Sequence, residues 1–172
     1  EATWSTGFTG SIVSAALHDE VIYVWNTTHE MVAIEAATGE TIWSSGIEST
    51  GVFEILPEGN PLVMFEVVAA EDVVAAVTAD DKIVAFDRKS GEVLWQADGY
   101  DPVRTQLATT DGVLLSIQID DTGQTVIDSP PRYGVGFDLA SGEVLYGLTI
   151  NGPISTIVTP GGTEMFHLIA NE

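Results

Sequence analysis

The chain has 172 residues, 45% of them hydrophobic, which is enough to close a core and excludes an intrinsically disordered segment. Twenty-six Asp and Glu against five Lys and Arg give a net charge of −21, which repels nucleic acid and anionic lipid surfaces and excludes both as partners. Cysteine is absent, so disulfides, thiolate metal sites and cysteine nucleophiles are excluded, and no apolar run reaches the roughly 18 residues of a membrane-spanning helix.

Residues 1–6 carry Glu1-Ala-Thr-Trp4, which reads as the last strand of a preceding unit, ending on a large aromatic. Residues 10–46 follow with two runs rich in β-branched residues, Ser11 to Leu17 and Val21 to Trp25, turned by His18, Asp19 and Glu20. Asn26-Thr27-Thr28 is an N-glycosylation sequon, expected in an exposed turn and making Asn26 a candidate acceptor. A third strand, Glu30 to Ile34, runs into Glu35-Ala-Ala-Thr38-Gly39 and then Glu40 to Trp43. In that turn a carboxylate and a hydroxyl can hold backbone amides, while Gly takes a positive φ without steric cost.

Residues 47–61 form an insert, and residues 62–98 repeat the pattern. Strands are expected at Leu62 to Val68, Val73 to Val77 and Lys82 to Phe86, then the turn Asp87-Arg-Lys-Ser90-Gly91 and the strand Glu92 to Trp95. Residues 103–149 do so again, with Val103 to Ala108, Val113 to Ile119, a polar insert 121–132, Tyr133 to Phe137, the turn Asp138 to Gly142, and Glu143 to Tyr146. Residues 153–172 supply Pro153 to Thr159 and Glu164 to Ala170, the first two strands of a further unit.

The turn glycines Gly39, Gly91 and Gly142 lie 52 and 51 residues apart, so the chain is an array of one supersecondary unit. Four short antiparallel strands per unit, with no segment of helical period, make this an all-β chain with the pattern of β-propeller blades. The phrase Ala-x-Asp-x-x-Thr-Gly-x-x-x-Trp resembles the repeat of the PQQ-like (quinoprotein alcohol dehydrogenase-like) β-propellers. The resemblance covers nearly the whole chain, with Glu35 in place of Asp in the first copy and Gly136 in place of Ala in the third. It implies that Trp4, Trp43, Trp95 and, by substitution, Tyr146 are blade-docking aromatics. It also implies a ring of seven or eight blades, so the chain is expected to be part of a larger propeller or a protomer completed by a partner.

Quinoprotein dehydrogenases of this resemblance hold pyrroloquinoline quinone over a tryptophan beside Ca²⁺, with an aspartate base and a vicinal disulfide. None of these is placed by the sequence. Three tryptophans fall in docking positions, Trp25 lies mid-strand on the face of Tyr23, and no cysteine exists. His18, His29 and His167 lack metal-ligand spacing, and Asp80-Asp81 and Asp120-Asp121 read as solvated turns, short of the six to eight oxygens Ca²⁺ takes. The expectation is therefore no enzyme, no cofactor and no metal. The chain reads as a non-catalytic scaffold or protein-binding module, secreted, periplasmic or cell-surface, its acidity pointing to high salt. Partners are expected at the two inserts. The alternatives are the propeller portion of a quinoprotein dehydrogenase with its active site elsewhere, and a homo-oligomeric extracellular assembly completed by neighbouring strands.

Overall fold

The computed structural model describes residues 4–51, 66–80, 82–98, 105–119, 132–150, 154–158 and 164–168. Twelve strands build three four-stranded antiparallel sheets, each taken in chain order. Sheet 1 holds β1 (Ile12–His18), β2 (Val21–Asn26), β3 (Glu30–Glu35) and β4 (Thr41–Gly46). Sheet 2 holds β5 (Val67–Ala70), β6 (Val73–Val77), β7 (Lys82–Asp87) and β8 (Val93–Asp98). In sheet 3, the strands are β9 (Thr105–Thr110), β10 (Val113–Ile119), β11 (Arg132–Asp138) and β12 (Val144–Ile150). A further hairpin pairs β13 (Ile154–Val158) with β14 (Glu164–Leu168). No helix occurs among the described residues, so none there is long and apolar enough to cross a membrane.

Local chemistry sets this pattern. Two-residue turns join the first hairpin of each sheet, and Asp19 and Glu20 (φ 47° and 63°) and Asp111 and Gly112 (φ 44° and 77°) take the positive φ values that match the strands' right-handed twist. The pairing of β3 with β4 is offset between Ala33 and Ile34, and the same irregularity recurs at Ala85/Phe86 and Gly136/Phe137. The repeat thus reproduces its bulges as well as its strands.

The sheets stack face to face through two apolar seams. Tyr23, Trp25, Met31 and Ala33 of sheet 1 meet Val67, Val74, Ala76, Val84 and Phe86 of sheet 2. In turn Val73, Ala75, Val77, Ile83 and Ala85 of sheet 2 meet Leu107, Leu114, Phe137 and Leu139 of sheet 3. Odd and even positions of one strand therefore serve opposite seams, which is why β6 and most of β7 are buried on both faces. The first strands β1, β5 and β9 lie next to one another. They are tied where Ser14 Oγ accepts the Val67 amide (3.3 Å) and Glu66 accepts the Leu107 amide (2.7 Å).

Trp4 to Thr6 lie outside sheet 1, which Trp4 meets through its side chain; residues 1–3 lie outside the described residues. In the insert 47–61, the described part runs from Ile47 to Gly51, with Glu48 and Thr50 exposed. Ile47 packs on the first seam, and Gly51 lies so close to the Ala79–Asp80 peptide that a Cβ there would come within 2.3 Å. Residues 52–61, and 121–131 of the other insert, lie outside the described residues.

Candidate functional site

The recurring turn is held by its own side chains. Asp87 Oδ1 accepts the amides of Lys89 and Ser90 and the Ser90 hydroxyl, and Ser90 Oγ then accepts the Glu92 amide. Asp138 and Ser141 repeat the arrangement. These bonds favour the ionised carboxylate, so both acids titrate below the usual range, Asp87 chiefly through the Ser90 amide and Asp138 chiefly through the Ser141 hydroxyl. With its extra methylene, Glu35 receives the Thr38 hydroxyl instead. In all three turns the glycine amide closes back on the carbonyl of the acid.

On each turn sits an indole. Trp4 Nε1 donates to the Ala36 carbonyl (2.9 Å), Trp43 Nε1 to that of Arg88 (2.8 Å) and Trp95 Nε1 to that of Leu139 (3.0 Å). A Cβ on Gly39, Gly91 or Gly142 would lie within 2.5–2.6 Å of the indole atoms, and all three have φ between 73° and 78°. The glycine therefore meets two demands at once, a left-handed backbone and an aromatic roof. Tyr146 is placed differently. It pairs with Gly136, where a Cβ would come within 2.4 Å of its ring, and it is 43% exposed. The small residue at 136, where the other sheets carry Ala33 and Ala85, makes room for this ring.

A second set of ties closes the other end of the first seam. Trp25 Nε1 donates to the Val77 carbonyl (2.9 Å), and His29 Nε2 accepts the Ala79 amide (3.2 Å) with its ring edge-on to Trp25. Ser49 and Thr78 donate to Asp80 at 2.6 and 2.7 Å, and Lys82 lies 3.3 Å from its other oxygen. Burial opposes ionisation of Asp80, but these hydrogen bonds and the Lys82 charge outweigh it and hold its pKa at about 2. Burial pushes the His29 pKa down, against the pull of Asp80. Asp80 is therefore a tie between sheets, which corrects its reading as a solvated turn; Asp81, Asp120 and Asp121 lie outside the described residues.

Asn26 also changes meaning. It is fully buried, with Oδ1 accepting the Thr28 amide, the Thr28 hydroxyl and the Glu30 amide, while Nδ2 donates to Glu30. The expectation of an exposed sequon is corrected, since the nitrogen that would carry a glycan is spent inside the turn. Thr78 holds the same place in sheet 2, equally buried and accepting the Lys82 amide. The two lie 52 residues apart, the spacing of the first two motif glycines. That shared spacing was the signal that could have marked Asn26 as a turn cap.

At the motif end of the first seam Arg88 reaches back to sheet 1, its Nη2 2.9 Å from Asp19 Oδ2. Its side chain is 11% exposed, and its Nε and Nη1 have no hydrogen-bond partner among the described residues. Leu139, fully apolar and 2% exposed, holds the equivalent place in the second seam.

The opposite face of sheet 1, formed by Ile22, Val24, Val32 and Ile34, is covered in part by Trp4 and Phe8. Beside that cover a groove of about 500 Å³ stays open. Leu17, Val21, Ala36, Ala37 and Ile42 form its apolar walls, and Asp19, Glu20 and Glu35 its rim.

Trp25 is fully buried, and Trp4, Trp43 and Trp95 lie on turns, each of the four with its N–H bonded to a backbone carbonyl. Among the described residues no three His, Cys, Asp or Glu side chains converge to hold a metal ion. His18 ends β1 beside Asp19 (3.4 Å), whereas His29 lies in the turn after β2; the side chain of His167 is not among those described.

The family described as outer membrane protein assembly factor BamB matches residues 1–158. The chain belongs to the PQQ-like β-propeller repeat family. Structural likenesses agree on this fold. BamB from Moraxella catarrhalis superposes with a TM-score of 0.61 at 17% identity, over 86% of this chain and 42% of that one. The computationally designed Ika4 protein gives 0.61 at 13%, over 95% and 94%. Quinohemoprotein alcohol dehydrogenase from Comamonas testosteroni gives 0.57 at 16%, over 83% and 21%. The chain thus spans less than half the length of BamB and about a fifth of the dehydrogenase. No curated protein sequence matches it. At these identities the PQQ-like likeness establishes the propeller fold, and a fold is a platform on which activity is separately placed.

Proposed function

We propose that this PQQ-like propeller chain is a non-catalytic scaffold that binds protein, working in a secreted, periplasmic or cell-surface setting. One observation carries the reading: all four indoles donate their N–H to backbone carbonyls, three of them in the packing between sheets, so the residue type that would seat a quinone is spent on architecture. Membership of a family described by an outer-membrane assembly factor supports the same direction. The charge of −21 supports a high-salt setting, where screening relieves self-repulsion.

The test is direct. Titration of the chain with pyrroloquinoline quinone and Ca²⁺ is expected to leave tryptophan fluorescence unchanged and to give no dye-coupled alcohol oxidation. Stoichiometric quinone binding with turnover would replace this reading with the dehydrogenase one. Light scattering distinguishes a monomeric module from a homo-oligomeric assembly. Lowering salt is expected to reduce the melting temperature, and indifference to salt would remove the high-salt setting.

A further inference from the structure

The repeat allows one sheet to be read against the next. At the motif end of sheet 2 stand two cations: Lys89 Nζ lies 2.7 Å from Asp72 of the same sheet, and Arg88 crosses to Asp19 of sheet 1. In register with the motif glycines, Asp72 corresponds to Glu20 and Asp87 to Glu35, while Arg88 and Lys89 correspond to Ala36 and Ala37. Sheet 1 therefore keeps the carboxylates and lacks the two cationic side chains. Ala36 and Ala37 form part of the open groove. Among the described residues, the ion pairs are those of His18, Lys82, Arg88 and Lys89, and none involves Glu20 or Glu35. Leu17 and Ile42 beside them are 69% and 51% exposed.

We propose that this groove docks a basic segment of a partner protein, with arginine or lysine side chains alternating with apolar ones. Their aliphatic stems lie over Ala36, Ala37 and Ile42, and their charged heads meet Glu20 and Glu35. Long cationic side chains combine an apolar stem with a charged tip, and that is the profile of a groove with apolar walls and an acidic rim. The chain itself is a poor source of the occupant: it has five Lys and Arg, of which Lys82, Arg88 and Lys89 are already paired. Strong salt leaves room for this mode, because at a screening length of about 3 Å contact ion pairs and apolar burial persist while long-range attraction is lost. The inference deepens the binding-module reading and rests on it.

The experiment titrates the intact chain into a fluorescein-labelled decapeptide alternating leucine with arginine, read by anisotropy, with a leucine–glutamate decapeptide as control. Saturable binding of the basic peptide alone is expected. Glu20→Gln/Glu35→Gln should weaken it at least tenfold, whereas Glu92→Gln/Glu143→Gln, which removes the same charge elsewhere, should leave it within twofold. Ala36→Arg/Ala37→Lys, which installs the cations sheet 2 carries, should abolish binding and keep the parent's circular dichroism. Equal weakening by both glutamine pairs, or undiminished binding to the Ala36/Ala37 variant, would overturn the groove. Either result leaves the quinone and turnover tests untouched, so the groove can fail while the non-catalytic reading stands.

Discussion

The two seams are built from one repeat yet are held differently. Both share the indole on the glycine turn. Each also has one bond between first strands, Ser14 with Val67 and Glu66 with Leu107; the first seam adds Trp25, His29, Ser49 and Asp80 at one end and the Arg88–Asp19 pair at the other, while the second packs apolar groups around Trp95, Phe137 and Leu139. A hydrophobic seam tolerates inexact contacts because its attraction follows area, whereas a polar seam fixes relative placement because each buried donor needs its partner. Among the described residues, sheets 1 and 2 therefore share more polar ties than sheets 2 and 3.

The largest expected effect falls on the apolar seam. Trp95→Ala should cost about 3–5 kcal/mol in urea unfolding, the loss typical of a buried large aromatic. Trp43→Ala should cost less, because the ties of Trp25 and Asp80 remain in its seam. A loss below about 1 kcal/mol for Trp95→Ala would refute the docking role. Next comes Gly142→Ala. A left-handed alanine costs about 1–2 kcal/mol before its Cβ meets the Trp95 ring, so a total of at least about 2 kcal/mol is expected from the same measurement.

Acidification should distinguish the seams without mutation. The folded pKa of His29 lies below its unfolded value, so the unfolded chain takes up the proton first. The stability His29 contributes is therefore intact above about pH 6.5 and is lost as pH falls toward the folded value. Asp80, at about 2 when folded, adds a second loss between about pH 4 and pH 2. Urea midpoints measured against pH should lose the first slope in His29→Gln and lessen the second in Asp80→Asn, the remainder belonging to Asp87 and Asp138, with Trp25 emission following both. An unchanged profile in either variant would assign the acid sensitivity to other groups.

The smallest expected effect is a gain. Arg88→Leu gives the first seam the residue of the second and removes two buried nitrogens, Nε and Nη1, that lack partners among the described residues, while Asp19, 71% exposed, loses little. Stability should rise by about 1 kcal/mol, consistent with the cost of buried unsatisfied donors. A fall of that size would mean that the pair with Asp19 stabilises the first seam more than Leu139 does the second.

How much of this was legible in the sequence depends on how local each contact is. The turn from Asp87 to Gly91 was readable because its bonds span at most five residues and recur at a fixed interval. The docking carbonyls of Ala36, Arg88 and Leu139 were not, although their indoles were, since a backbone oxygen leaves no mark on residue identity. His29 and Asp80 stayed hidden for another reason. Their contacts join residues 50 and 31 positions apart and, among the described residues, belong to one seam, so the repeat offered no second copy to compare. The groove was hidden because it appears only when Ala36 and Ala37 are set against Arg88 and Lys89 in three dimensions.

The placement of the four indoles makes the chain its own optical gauge. Trp25 and Trp43 lie in the first seam, Trp95 in the second, and Trp4 on the free face of sheet 1. Native emission therefore reports the gaps between blades and hardly at all the hydrogen-bonded ladders within them. A red shift that precedes any loss of far-ultraviolet dichroism would be the optical signature of blades parting while each remains folded. Versions keeping a single tryptophan would tell which gap opens first.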